Sequence, residues 1–124
     1  MGQLAKHILI VEDEEHLGEV LAIKFRDEGF QATYSNDPTE AISLHKKNHF
    51  DLIVSDINMP YMSGLNLLKQ FRQVDKKVPV IFVSALQEIL SEEVRSLGAV
   101  DILHKPFPFE QLLSKAKECL FKSR

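Results

Sequence analysis

The chain has 124 residues, of which 44% are hydrophobic and 27% are charged, and this composition is typical of a single globular domain. A net charge of -3 gives no electrostatic support for a grip on nucleic acid phosphates, so we expect no direct nucleic acid binding. The single cysteine, Cys119, cannot form an internal disulfide, and the N-terminal apolar run is too short to span a membrane. We therefore expect a soluble cytoplasmic protein that does not bind membranes.

Five short apolar runs recur along the chain and are predicted to be strands. Short apolar runs without polar alternation are typical of strands that are covered on both faces, as in parallel sheets. The runs are His7 to Val11, Ala32 to Ser35, Asp51 to Ser55, Val78 to Ser84 and Asp101 to Leu103.

Helix-like stripes of apolar residues lie between and after these runs. The first predicted helix ends before Gly29, and the second begins at Pro38 with Asp37 as its N-cap. The stripes are Leu17, Val20, Leu21 and Phe25; Ala41, Ile42 and Leu44; Leu65, Leu67, Leu68 and Phe71; Ile89, Leu90, Val94 and Leu97; and Leu112, Leu113, Ala116 and Leu120. The alternation predicts a doubly wound α/β fold with a parallel five-stranded sheet and helices on both faces. Folds of this flavodoxin-like type usually adopt the strand order 2-1-3-4-5, which we expect here.

Polar residues follow four of the predicted strands directly. In open parallel sheets, ligands bind outside the carboxyl ends of the strands, near the point where strand order reverses. The polar positions therefore share the edge at which a ligand site is expected. They are Glu12 and Asp13 after the first strand, Asp56 after the third, Ser84 with Ala85 at the end of the fourth, and Lys105 after the fifth.

These motifs resemble the receiver domain of bacterial two-component response regulators. An acidic pair, a D-x-x-M-P-x-x-x-G loop from Asp56 to Gly64, the Ser84-Ala85 pair and a K-P-F run at Lys105 follow one another in the order of that family. The resemblance extends over roughly residues 6–120. It implies one receiver domain in residues 1–124, with a core of about 6–120 and no output domain within this chain.

The predicted sheet order brings the acidic residues after strands one and three together. Two like charges about 4 Å apart repel by roughly 4 kcal/mol at an effective dielectric near 20, so such a cluster calls for a cation. Oxygen ligands without a His or Cys cluster favour Mg²⁺, with Mn²⁺ as a substitute. The resemblance implies that Asp13 and Asp56 ligate directly, Asn58 through its backbone carbonyl, and Glu12 through a water molecule.

The resemblance also assigns the chemistry of phosphoryl transfer. Asp56 is the expected phosphoacceptor, and it would receive its phosphoryl group from a sensor histidine kinase or a histidine phosphotransfer protein. Lys105, Ser84, Ala85 and Asn58 are expected around the phosphoryl group, because such transfer depends on positioning and charge neutralisation. The chain would catalyse only its own phosphorylation and dephosphorylation, and the Lys105-Pro106 bond is expected to be cis.

Phosphorylation is expected to move Ser84 and to change how the face of helix 4, strand 5 and helix 5 packs. A downstream protein, an output domain or a second copy of the chain would read that face. Two positions depart from the family pattern or vary within it. Ile102 replaces the usual aromatic switch residue, and Leu86 cannot orient a hydrolytic water, which predicts a long-lived acyl phosphate.

Two other functions stay open at the level of sequence. One is a receiver-like protein-interaction module that works without phosphorylation, and the other is an aspartyl phosphatase that uses Asp56 on external substrates. The histidines are interpreted as core or surface imidazoles without metal-ligand spacing; they are His7, His16, His45, His49 and His104.

Overall fold

A computed structural model describes residues 5–59, 62–85 and 92–121 of the chain, apart from the side chain of residue 58. The strands of its main sheet are β1 (His7–Val11), β2 (Gln31–Ser35), β3 (Leu52–Asp56), β4 (Val80–Ser84) and β5 (Ala99–His104). The helices are α1 (Glu15–Asp27), α2 (Pro38–Asn48), α3 (Gly64–Val74), α4 (Glu92–Ser96) and α5 (Phe109–Phe121). Two short strands after β3, Asn58–Met59 and Met62–Ser63, form a separate antiparallel pair.

The main sheet is parallel, and its strands lie in the order β2-β1-β3-β4-β5. This confirms the predicted fold class and the predicted order 2-1-3-4-5. The order reverses between β1 and β3, so the carboxyl ends of these two strands border the crevice in which such folds bind ligands.

Side chains alternate across the sheet and build one apolar layer on each face. On one face, Leu9, Ile53 and Phe82 pack with residues of α2 and α3. On the other face, Ile10 and Val54 pack with residues of α1 and α5. Because β3 lies between two other strands and under helices on both sides, every residue from Leu52 to Asp56 is buried.

The bounds of β1 match the prediction, those of the other strands differ from it by one or two residues, and the later start of β4 has a clear physical reason. It begins at Val80 rather than Val78, since Pro79 has no N–H to give to a ladder and the Val78 N–H donates to Asp75 Oδ1 at 3.2 Å. β3 starts at Leu52 and includes Asp56, and β5 extends to both sides of the predicted 101–103 run.

Helix ends follow the signals in the sequence. The Asp37 carboxylate accepts the Thr39 N–H at 2.9 Å, as an N-cap should, and Gly29 takes a φ of +94° after α1. Ile89 and Leu90 of the fourth predicted helix lie outside the described residues, as does Leu86. No helix of the described segments is long and apolar enough to cross a membrane.

Candidate functional site

Three carboxylates meet at the carboxyl edge of the sheet. Val11 of β1 lies opposite Ser55 of β3, so the residues that follow them, Glu12 and Asp56, are neighbours. Asp13 completes the group, and one carboxylate oxygen of each of the three lies within 4.8 Å of the others. Glu12 and Asp56 are buried, with exposed fractions of 1% and 6%, whereas Asp13 is exposed.

The Lys105 ammonium lies against these carboxylates. Its Nζ is 3.1 Å from Asp56 Oδ2, 3.1 Å from Glu12 Oε1 and 3.3 Å from Glu14 Oε1. The Lys105 N–H donates to the Ser84 carbonyl at 2.7 Å, which fixes the chain just past β5, and the Lys105-Pro106 bond is cis as expected. Burial alone would lower the pKa of Lys105, but the charges and hydrogen bonds of Glu12 and Asp56 raise it.

Burial also dominates the electrostatics of Glu12. It raises the pKa of the Glu12 carboxyl to about 7, and the charge of Asp56 acts in the same direction. The Glu14 N–H, which donates to Glu12 Oε2 at 3.1 Å, and the Lys105 ammonium oppose that rise. Glu12 Oε1 is close to Lys105 Nζ, yet among the described residues it receives no hydrogen bond of good geometry.

This donor set fits a hard divalent cation. Glu12, Asp13 and Asp56 bring three carboxylates into one pocket, and a single ammonium cannot balance them. A buried carboxylate oxygen that lacks a hydrogen bond is a polar atom in need of a partner. Mg²⁺ prefers oxygen ligands and binds through one or two carboxylates together with water and phosphate oxygens, so the residues present match its chemistry.

Ser84 and Ala85 follow the neighbouring strand. β3 pairs with β4 so that Asp56 is opposite Val83, which places Ser84 one residue beyond the level of Asp56. Ser84 is buried with 1% exposure, and Ala85 is exposed. The structure therefore puts a hydroxyl and a small residue at the end of the strand that pairs with β3 next to Asp56.

Ile102, which is expected from the sequence in place of an aromatic switch residue, lies in β5 opposite Phe82. It is half-buried and packs against the apolar layer that α2 and α3 share. An aliphatic side chain in this position adds to the core.

The loop after β3 closes tightly at Gly64. The Gly64 N–H donates to the Ile57 carbonyl at 2.6 Å, and a Cβ on Gly64 would lie 2.8 Å from that oxygen. The close approach explains the glycine of the D-x-x-M-P-x-x-x-G motif. The Asn58 backbone lies in the short antiparallel pair opposite Ser63, and the role of its carbonyl as a metal ligand stays a prediction.

Two residues at the site were not predicted from the sequence. Glu14 contacts Lys105 and extends the acidic group, and its signal was the acidic run that begins at Glu12. Tyr34 donates its hydroxyl to the Glu12 carbonyl at 2.7 Å. Sequence holds no signal for that contact, because it depends on how β2 pairs with β1.

A second cluster agrees with the interpretation of the histidines as core or surface imidazoles, although the spacing of two of them is one that metal ligands can have. His45 lies on α2 and His49 directly follows that helix as its C-cap, and with Asp75 they form a group whose ligand atoms lie within 4.8 Å of one another. The spacing was therefore compatible with metal binding. His45 Nδ1 accepts the Phe50 N–H at 3.0 Å and His45 Nε2 lies 3.0 Å from Asp75 Oδ2, so a neutral ring carries its proton on Nε2. A metal at Nε2 would have to displace that proton, so the cluster is better suited to holding α2 against the end of α3.

Comparison with known proteins identifies the family. The sequence profile of the response regulator receiver domain matches residues 8–117. The chain is 35% identical over 116 residues to the uncharacterized transcriptional regulatory protein YkoG of Bacillus subtilis, covering 92% of this chain and 50% of that protein. It is 32% identical over 121 residues to the transcriptional regulatory protein PcoR of Escherichia coli, covering 96% of this chain and 53% of that protein.

Solved structures of response regulators and their receiver domains have the same fold as this chain. A two-component response regulator from Clostridium difficile superposes with a TM-score of 0.86 at 27% identity, covering 94% of this chain and 97% of that one. The non-phosphorylated HemR receiver domain from Leptospira biflexa gives 0.84 at 30% identity, covering 96% and 97%.

The chain belongs to the response regulator receiver domain family. It spans about half the length of the first curated relatives that it matches. Members of this family are signalling switches of two-component systems and generally bind Mg²⁺ at an acidic pocket.

Proposed function

We propose that this chain is a phosphorylation-dependent switch that accepts a phosphoryl group on Asp56. The observation that carries the proposal is the contact of the buried Asp56 carboxylate with Lys105 Nζ at 3.1 Å, inside a pocket with two further carboxylates. An aspartate at a strand end with a cation beside it has the surroundings that acyl phosphate formation needs.

Each residue of the pocket has a distinct part in the proposed reaction. Asp56 attacks phosphorus with a carboxylate oxygen, and the bond from phosphorus to the donor nitrogen or oxygen breaks. Lys105 neutralises charge on the transferred group, and Ser84 donates its hydroxyl to a phosphoryl oxygen. The residues that would hold Mg²⁺, or Mn²⁺ in its place, are Asp13, Asp56, Asn58 through its carbonyl and Glu12 through water. When bound, the ion supplies positive charge to the phosphoryl oxygens.

The proposed signal is a change in packing that follows the new charge. Phosphorylation adds negative charge and acceptor oxygens at Asp56, which favours a position of Ser84 nearer to them. The face of α4, β5 and α5 then shifts between two arrangements, and a partner that binds one of them better reads the signal.

The partners follow from the class of protein. We propose a sensor histidine kinase or a histidine phosphotransfer protein as the donor, and a downstream protein, an output domain or a second copy of the chain as the reader. A cytoplasmic location agrees with these partners. The relatives named as transcriptional regulators are about twice as long as the matched segment, which favours an output domain in the whole protein.

Incubation with acetyl phosphate and Mg²⁺ tests the proposed function. We expect one phosphoryl group per chain, detected by intact-mass measurement, and none on the Asp56→Asn variant. Asp51→Asn is the matched control, because Asp51 lies directly before the other end of β3 and bonds to the His7 N–H at 2.8 Å, far along the strand from the site. Catalytic release of phosphate beyond one equivalent would favour the phosphatase, and no labelling of the parent would favour an interaction module.

A further inference from the structure

The side chain of Tyr34 links β2 to the turn that carries the acidic pair. Its hydroxyl donates to the Glu12 carbonyl at 2.7 Å. That carbonyl belongs to the peptide group between Glu12 and Asp13, and a peptide group is planar. A hydrogen bond to its oxygen therefore restrains the relative orientation of the two residues that bear carboxylates.

β2 holds Glu12 from its other side as well. The Glu12 N–H donates to the Ser35 carbonyl at 3.2 Å. Both peptide groups that flank the Glu12 Cα are thus bonded to consecutive residues of β2. Rotation of either peptide would swing Glu12 or Asp13 out of the pocket, and the Tyr34 hydroxyl resists one of these two rotations.

The Tyr34 ring reaches this position because residue 18 has no side chain. A Cβ on Gly18 would lie 2.1 Å from Tyr34 Cε1, so the ring occupies the space that any other residue would fill. A tyrosine hydroxyl keeps its proton at neutral pH, so Tyr34 remains a hydrogen-bond donor there.

We propose that Tyr34 is a positioning residue for the cation site, which it holds in shape through the peptide group between Glu12 and Asp13, and that Gly18 is the residue that admits its ring. This inference rests on the proposed binding of Mg²⁺ by Asp13 and Asp56. Tyr34 touches neither the metal nor the phosphoryl group in this scheme, so its removal should change metal affinity and leave the phosphoryl chemistry intact.

The test is a Mg²⁺ titration of the Tyr34→Phe variant, which keeps the ring and removes the hydroxyl. Amide shifts of residues 13 and 56 report binding in the absence of any phosphoryl donor. We expect the Kd for Mg²⁺ to rise about 3- to 10-fold, within the energy of one neutral hydrogen bond, and the thermal unfolding midpoint to fall by a few degrees, because the metal-free fold loses that bond as well. With acetyl phosphate, the Mg²⁺ concentration for half-maximal labelling should rise by the same factor while the rate at saturating Mg²⁺ stays the same.

Thr33→Val is the matched control. Thr33 precedes Tyr34 on β2, and its hydroxyl lies 2.8 Å from His7 Nε2, away from the turn. The control should bind Mg²⁺ like the parent. A Kd for Tyr34→Phe within twofold of the control, or a lower labelling rate at saturating Mg²⁺, overturns the positioning role.

A second variant tests the part that Gly18 plays. Gly18→Ala should displace the Tyr34 ring and raise the Kd for Mg²⁺. In a Tyr34→Phe background the same substitution should raise the Kd by a smaller factor than in the parent, because the hydrogen bond is already lost. Full additivity of the two changes overturns the proposed link between them. If the parent chain does not bind Mg²⁺, both the proposed metal site and the proposed role of Tyr34 are overturned. If the parent binds Mg²⁺ and the Tyr34→Phe variant has the same Kd, only the role of Tyr34 is overturned.

Discussion

The Lys105 ammonium lies 3.1 Å from a carboxylate oxygen of Asp56 and 3.1 Å from one of Glu12. Its side chain is only 14% exposed, so water screens these charges less than it would on the surface. In the absence of a divalent cation the lysine offsets part of the repulsion among the carboxylates. It therefore also repels any metal that enters the same pocket.

Replacement of the lysine by an uncharged side chain of similar length should separate these two effects. We expect Lys105→Met to bind Mg²⁺ roughly tenfold more tightly than the parent, since a positive charge near the metal has been removed. The variant should also lose most of its phosphoryl uptake. A Mg²⁺ titration followed by amide shifts measures the first effect, and intact mass after acetyl phosphate treatment measures the second.

Lys115→Met is the control for loss of a paired lysine. Lys115 Nζ bonds to Asp101 Oδ2 at 2.7 Å on β5, outside the acidic pocket. It should bind Mg²⁺ and accept phosphate like the parent. Equal or weaker Mg²⁺ affinity in Lys105→Met would contradict the charge argument.

The helix pair α2 and α3 shows how a buried polar group joins two elements. His45 on α2 is 1% exposed and is bonded to the Phe50 N–H and to Asp75, which follows α3. The charged or titratable groups around it are Asp75, His49 and Arg72. Burial lowers the pKa of His45 below its usual 6.5, although Asp75 opposes the shift.

The lowered pKa predicts a pH dependence of folding. Below pH 6.5 the unfolded chain takes up a proton at His45 while the folded chain does not, so the free energy of unfolding falls as the pH falls toward the pKa of the folded state. Each pH unit in this window costs up to about 1.4 kcal/mol. Urea unfolding between pH 7 and pH 5 should show a shallower fall for His45→Gln than for the parent.

His49→Gln serves as the control for this measurement. The His49 side chain is 76% exposed and lies one turn from His45, so its loss should leave the slope of stability against pH nearly as it is in the parent. If the His45→Gln slope equals that of the parent, burial of His45 is not the cause of the pH dependence.

At the scale of the whole molecule, one sheet with an apolar layer on each face carries every strand-end group of the site. Ile102 packs into one of these layers and Ser84 lies at the carboxyl end of β4. A change at Asp56 therefore has a direct route to Ser84 through the strand ends. An effect of that change on Ile102 would have to pass through the packing of the apolar layer. The aliphatic side chain of Ile102 has no polar group that would respond to the new charge, so we expect this packing to stay as it is.

This difference predicts where phosphorylation acts. On treatment with a beryllium fluoride mimic and Mg²⁺, amide shifts around Ser84 should exceed those around Ile102, as measured by ¹H–¹⁵N correlation spectra. The Asp56→Asn variant under the same conditions gives the background. Equal or larger shifts around Ile102 would mean that the aliphatic residue transmits the signal after all.

The sequence by itself determined the fold class and the edge at which Glu12, Asp13, Asp56, Ser84 and Lys105 are placed, whereas the strand order was the one that folds of this class usually adopt. It could do so because parallel βα units put the residue after each strand at the same edge, so position along the chain translates into position in space. Several strand bounds differed from the prediction by one or two residues, since local hydrogen bonds such as that from Val78 to Asp75 decide where a ladder begins.

Only the tertiary structure decided which side chains support that edge. The bond from Tyr34 to Glu12 depends on the register of β2 against β1 and on the space above Gly18. The contact of His45 with Asp75 likewise joins residues 30 positions apart through helix packing. Such contacts depend on which strands and helices pack together, and the pattern of residues along the chain does not predict which residues those pairings bring into contact.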